Sequence, residues 1–251
     1  MTAPAPDDGA ARNGPAIFGE HAVALRRAGL AVLPANGKRP LIRGFQKMRC
    51  APGLAIVEQW AQTNASHNIV YVPGLSRTRG SPNGLVVVDA DNAEEVERVE
   101  KVFGPTPAMV VTRRGRHFIY GAPEASLCNI GSLRKVGLDV DIKHGQRGSG
   151  ISVAPPSRHP DQPDFTYTWQ KGSGPDSLTD LPPFNAKALQ SLIEEGAKRS
   201  SMLRGSETLL NVTQTAPPPP RRMTAGIKRG PLTRSARHFP ECFGMAAVSW
   251  A

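Results

Sequence analysis

The chain has 251 residues, 39% of them hydrophobic and 21% charged, with a formal net charge of +10 and a pI of about 10.0. That apolar share suits one sizeable domain or two small ones, and with aromatics at only 6% the core must rest on Val, Leu, Ile and Ala. A membrane-spanning helix is excluded, because no stretch approaches the roughly 18–20 apolar residues a span requires.

Cys50, Cys128 and Cys242 are isolated and odd in number. They imply neither a disulfide framework nor a zinc site, and structural thiols in a reducing compartment are the simpler reading. Met1 to Pro15 carries no apolar run, so it reads as a disordered leader and not as a signal peptide. A cytoplasmic location follows as the default. The positive charge suggests a polyanionic partner, but it is unevenly spread. From Gly196 onward there are nine Lys or Arg against two acids, whereas residues 1–195 hold 22 basic and 19 acidic side chains. A basic tail raises non-specific affinity for nucleic acid through counterion release. It says little about the folded part.

In chain order, Phe18, Ala22 and Leu25 predict a helix over Ile17 to Ala28, stopped at Gly29. Leu30 to Leu33 is a short buried-strand candidate, and Pro34 to Pro40 reads as loop throughout. A helix is expected over Leu54 to Gln62 and a strand over Asn68 to Val72. Leu85–Val–Val–Val88 is the clearest element, a run of β-branched residues that fits a strand buried on both faces. It leads into Asp89–Ala–Asp91. Asn92 is a good N-cap for an acidic helix, Ala93 to Phe103. Ala108 to Thr112 and His117 to Tyr120 predict a hairpin around Arg113–Arg–Gly–Arg116. Strands follow at Leu138 to Lys143, Ile151 to Ala154 and Phe165 to Trp169, then a helix at Ala186 to Lys198. Pro217 to Pro220 and Arg221–Arg222 belong to a tail without hydrophobic periodicity, so the domain is bounded at 16–199 and the tail at 200–251. Strands alternating with helices argue an α/β or α+β fold.

Three stretches can carry chemistry. Strand residues two apart share a face, so Asp89 and Asp91 project together and suit a hard divalent cation that also takes phosphate oxygens. The plainer reading makes them capping or loop acids. His117 enters a strand beside Arg113, Arg114 and Arg116, whose guanidinium forks suit phosphate; a structural His and a solvated hairpin tip are the alternatives. In Asp139–Val–Asp141–Ile–Lys143, alternation puts the three charged residues on one face, as a metal ligand beside a phosphate-binding cation or as a surface ion pair worth about 0–1 kcal/mol. Gly145 to Gly150 then makes a flexible turn, and Pro155–Pro156–Ser157 an extended exit.

Taken in series, these pieces resemble the N-terminal catalytic domain of bifunctional DNA primase–polymerases, of the archaeo-eukaryotic primase superfamily. The resemblance runs from Ala16 to Asn185. It includes Leu33–Pro34, Gly37–Lys–Arg–Pro40, Asn68–Ile69, Leu85 to Asn92 and Thr106–Pro107. It continues through Thr112 to His117, Val140–Asp–Ile–Lys143, Val153 to Ser157 and Tyr167–Thr–Trp169. It implies a mixed β-sheet with an RRM-like core, flanking helices and a site in an open cleft. It implies Asp89, Asp91 and Asp141 as catalytic metal ligands, with Asp139 an alternative for the third. His117 would contact the incoming nucleotide's phosphates, with Lys38, Lys143, Arg114 and Arg116 also on the nucleotide. Two Mg²⁺ or Mn²⁺ ions, nucleoside triphosphates, a single-stranded DNA template and possible service from a helicase in trans complete the implied reaction, in plasmid, phage or mobile-element replication. The glycine turn at 145–150 is longer than the family's usual pair. The rival readings are an inactive nucleic-acid-binding accessory protein and another two-acid enzyme, a nuclease or a glycosyltransferase.

Overall fold

The computed structural model describes residues 15–123, 131–134, 139–144, 150–194 and 198. The expected leader and tail lie outside the described residues, apart from Pro15, as does most of the glycine turn. No helix among the described residues is long and apolar enough to cross a membrane.

Three helices have the residues expected of them. In α1 (Ile17–Arg27), Phe18, Ala22 and Leu25 are buried, and α2 (Leu54–Thr63) packs against it. In α3 (Ala93–Phe103) the Asn92 side chain accepts a hydrogen bond from the Glu95 N–H at 2.9 Å, satisfying one of the free amides of the first turn. A fourth helix is described over 186–194.

The strands form two main sheets and a small hairpin. One sheet has the order β2–β1–β3–β9, from β1 (Val32–Asn36), β2 (Arg39–Pro40), β3 (Asn68–Tyr71) and β9 (Ser152–Val153). The other has the order β12–β5–β6–β4–β8–β7. Its members are β4 (Leu85–Ala90), β5 (Ala108–Val111), β6 (Arg116–Gly121), β7 (Gly131–Ser132), β8 (Val140–Lys143) and β12 (Thr168–Trp169). The hairpin pairs β10 (Arg158–His159) with β11 (Gln162–Thr166). All named strand pairs are antiparallel, so the fold is α+β. Among the described residues, the parallel component expected of a mixed sheet is confined to an isolated bridge, Gly121 to Pro183.

Two expectations about elements are corrected. The stretch read as loop from Pro34 onward is strand as far as Asn36, followed by a tight return into β2. Proline is tolerated there because Pro34 faces Ile69 at a position where Ile69 gives its own N–H and C=O to the other neighbour, at Ser157 and Ala154. The absent Pro34 N–H therefore points to the short β2 side, where its carbonyl accepts from Leu41 N–H at 2.9 Å. The single strand expected over Phe165 to Trp169 breaks at Tyr167, whose N–H donates to the Ser157 carbonyl at 2.8 Å, so β11 and β12 join different partners.

Alternation along β4 divides the core in two. Val86, Val88 and Ala90 join Phe118, Tyr120, Val140 and Ile142 beneath α3 and the 186–194 helix. Leu85 and Val87 join Ala108, Val110 and Ile119 in a second core shared with the β2–β1–β3–β9 sheet and α1. Leu85 to Val88 are fully buried, and complete burial of each contributes about 1.5–3 kcal/mol, which anchors the strand that carries Asp89. The β5–β6 turn is locked onto the end of β4. A Cβ on Gly115 would lie 1.9 Å from the Ala90 carbonyl oxygen and 3.1 Å from Asn92 N. Gly115→Ala is therefore expected to cost roughly 2 kcal/mol or more in urea denaturation, and an unchanged midpoint would show that the turn can move away freely.

Candidate active site

Strand register builds the site. Across β4 and β6, Asp89 faces His117, and across β4 and β8 it faces Asp141. Directly opposed residues on one face stand about 4.5–5.5 Å apart at Cβ. Three residues from separate stretches thus form one row over three adjacent strands, on the face shared with the second sheet. The same register carries past the strand ends, where Asp91 N–H donates to the Asp139 carbonyl at 3.3 Å. Asp91 therefore follows Asp89 as Asp139 precedes Asp141, giving two opposed pairs of acids.

Each pair has its own counter-charge. Asp89 Oδ1 lies 3.3 Å from His117 Nε2, and its Oδ2 accepts a hydrogen bond from the Lys143 ammonium. Burial alone raises the Asp89 carboxyl, but the His117 ring and the Lys143 charge outweigh it and hold the group well below the usual carboxylate range. Arg134 bridges the second pair, with Nε 2.6 Å from Asp139 Oδ1 and Nη2 2.9 Å from Asp91 Oδ2. Burial, reinforced by the charges of Asp89 and Asp139, nonetheless raises the Asp91 carboxyl against the pull of Arg114 and Arg134.

Asp141 differs from the other three. Its Oδ1 is buried and has no hydrogen-bond partner, a state that costs free energy unless something supplies the missing charge or proton. The oxygen-only donor set of Asp89, Asp91 and Asp141 suits a hard divalent cation. Among the described residues, however, no three His, Cys, Asp or Glu side chains are grouped closely enough to hold a metal ion. Lys143 and Arg134 stand against the carboxylates that a cation would need.

His117 is 3% exposed. Its Nδ1 shares a 3.2 Å hydrogen bond with the Ser152 hydroxyl of the other sheet, while its Nε2 faces Asp89. Both ring nitrogens thereby have partners, Asp89 on one side of the ring and Ser152 on the other. The ring stacks on Tyr167 with centroids 6.1 Å apart, and Tyr167 stacks on His159 at 6.1 Å. Burial, with the Asp89 charge nearby, pushes the Tyr167 hydroxyl up to about 12.

The expected phosphate-binding cations separate. Lys143 is in the row. Arg114 is near enough to influence both Asp91 and His159. Lys38 lies on the β1–β2 turn by His159; burial, aided by the Lys38 charge, lowers the His159 imidazole. Arg116 turns the other way, because residues adjacent in a strand face opposite sides. Its guanidinium lies 3.6 Å from Glu100 on α3.

Ser152, Tyr167 and Arg134 were not singled out as site residues by the sequence. Ser152 reaches the row only because one sheet packs on the other, and Tyr167 only because the chain breaks between β11 and β12, neither of which a local pattern encodes. Arg134 belongs to a stretch with no periodicity to place it.

A search of curated proteins found no match. Residues 22–184 match the model of one family, the N-terminal domain of bifunctional DNA primase/polymerases, and with most of its length covered, the row of acids included, the chain belongs to that family of primase/polymerase-type nucleotidyl transferases.

Proposed function

We propose that the chain is a metal-dependent nucleotidyl transferase that makes or extends primers on single-stranded DNA, with nucleoside triphosphates as substrates. The carrying observation is the row His117–Asp89–Asp141, in which a buried carboxylate oxygen without a partner faces a second carboxylate across one ladder. Asp89 and Asp141, with Asp91 beside them, would hold Mg²⁺ or Mn²⁺. Such ions, when bound, lower the pKa of an attacking hydroxyl and stabilise charge as pyrophosphate leaves. The chain's own side chains do the positioning. His117, held by Ser152, fixes the direction of the Asp89 carboxylate. Lys143 and Arg134 neutralise the acids while no cation is bound, and Lys143, released from Asp89, is placed to meet a phosphate. Lys38 and Arg114 add positive charge at the rim. Arg116 takes no part. The antiparallel order β5–β6–β4–β8, with α3 between β4 and β5, supports the RRM-like reading of the core. We set this reaction in the replication of a plasmid, phage or mobile element in the cytoplasm, with a helicase in trans.

The test is incorporation of a labelled nucleotide on a single-stranded DNA template. Product should form with Mg²⁺ or Mn²⁺, stop on addition of EDTA, and carry the complement of the template. Both deoxy- and ribonucleotides should be offered. Strand binding without incorporation under any of these conditions would favour an accessory binding protein.

A further inference from the structure

The domain is nearly balanced in charge, yet one segment is not. No acid occurs between Glu20 and Glu58. Within that stretch Lys38, Arg39, Arg43, Lys47 and Arg49 are all exposed. None of the five forms an ion pair among the described residues. A solvated face that only confers solubility mixes both signs; this one carries a single sign.

The segment is also held in place. Ile42, Phe45 and Met48 pack against the core shared by the two sheets. Gly44, with a φ of 74°, provides the left-handed residue before a short 3₁₀ turn at Phe45–Lys47. Apolar side chains three apart point in, and Arg43, Lys47 and Arg49 are left outside.

Its near end meets the rim of the site. Asn68 Nδ2 donates to the Gly37 carbonyl at 3.0 Å and to the Arg158 carbonyl at 2.7 Å. A Cβ on Gly37 would fall 2.9 Å from Pro160 Cβ. The β1–β2 turn is thus tied to the loop bearing His159, which stacks through Tyr167 onto His117.

From these observations we propose that the segment from Arg39 to Arg49 is a docking track for the sugar–phosphate backbone of single-stranded nucleic acid, leading away from the catalytic row. The inference rests on the reading of the chain as a template-using transferase and says where the template lies. A row of unpaired cations fits a phosphate chain because each contact releases condensed counterions, and it reads no sequence.

The test is fluorescence anisotropy of a labelled single-stranded oligonucleotide titrated with the full chain at several salt concentrations. One variant combines Arg43→Gln, Lys47→Gln and Arg49→Gln. A second removes three exposed lysines elsewhere, Lys101→Gln, Lys171→Gln and Lys187→Gln, and so has the same net charge. Circular dichroism establishes that both fold. For three lost phosphate contacts, the slope of log K against log salt should become shallower by about 2 in the first variant, and its affinity should fall about tenfold or more. The second should stay close to wild type. Equal losses in both variants would reduce the effect to net charge and overturn the track, as would unchanged binding by the first. A first variant that loses affinity for a labelled nucleoside triphosphate, but not for the strand, would assign these cations to the nucleotide and also overturn it. Failure of the wild-type chain to bind the strand at all would instead remove the template-using reading beneath it.

Discussion

Asp89→Asn should reduce nucleotide incorporation by about a thousandfold, equivalent to about 4 kcal/mol of transition-state stabilisation, while leaving the chain folded. Asp89 stands between two residues of the row, with His117 opposite on β6 and Asp141 opposite on β8. An amide keeps the shape and can still accept one hydrogen bond from His117 or Lys143. What it loses is the charge. Lys143 then keeps only part of its partner, and His117 no longer orients an anion, so the Asp89–Asp141 pair can no longer share a cation. The backbone has no reason to move, since β4 is held by four fully buried apolar residues ahead of Asp89. Steady-state incorporation with Mn²⁺, measured beside the thermal unfolding curve, checks both halves. Activity within tenfold of wild type in a folded variant would remove Asp89 from the chemistry.

Much of the support for this site was legible in the chain before any folding. The run Leu85 to Val88 can only be a strand with both faces covered, and Asn92 marks the start of α3 by its capping side chain. The acids themselves were visible because they follow that strand. Register between distant segments was not. Asp141 lies opposite Asp89 only because β8 joins β4 on the side away from β6, and no local periodicity states which neighbour a strand will choose. The same ignorance hid Ser152, whose hydroxyl crosses from the other sheet to His117, and Arg134, which closes the Asp91–Asp139 pair. Arg116 is a different matter. Period-two alternation from His117 already sends it to the opposite face, where it meets Glu100. Pro34 shows the converse, since proline ends a strand by propensity yet stays in β1 where its missing donor faces a ladder that has nearly ended.

The choice between Asp141 and Asp139 as the third acid gives the second large effect. Asp141→Asn is expected to abolish incorporation, again by about a thousandfold, and Asp139→Asn to lower it less than tenfold. Both sit on one face of the same stretch, two residues apart, so alternation alone does not separate them. Their partners do. Asp139 is held by Arg134 at 2.6 Å and sits opposite Asp91, at the outer end of the ladder. Asp141 sits opposite Asp89 and has a buried oxygen with nothing bound to it. Replacing a carboxylate that serves only the fold should cost stability, because a hydrogen bond or ion pair goes with it. Asp141 Oδ1 has no such bond to lose, and removing one charge from a group of four acids relieves repulsion. Asp141→Asn should therefore unfold at the same temperature as wild type or a higher one, in the absence of metal, while being inactive. Stability gained as activity disappears is the signature of a residue kept for its chemistry. A drop in melting temperature together with retained incorporation would identify Asp141 as structural and return the third position to Asp139.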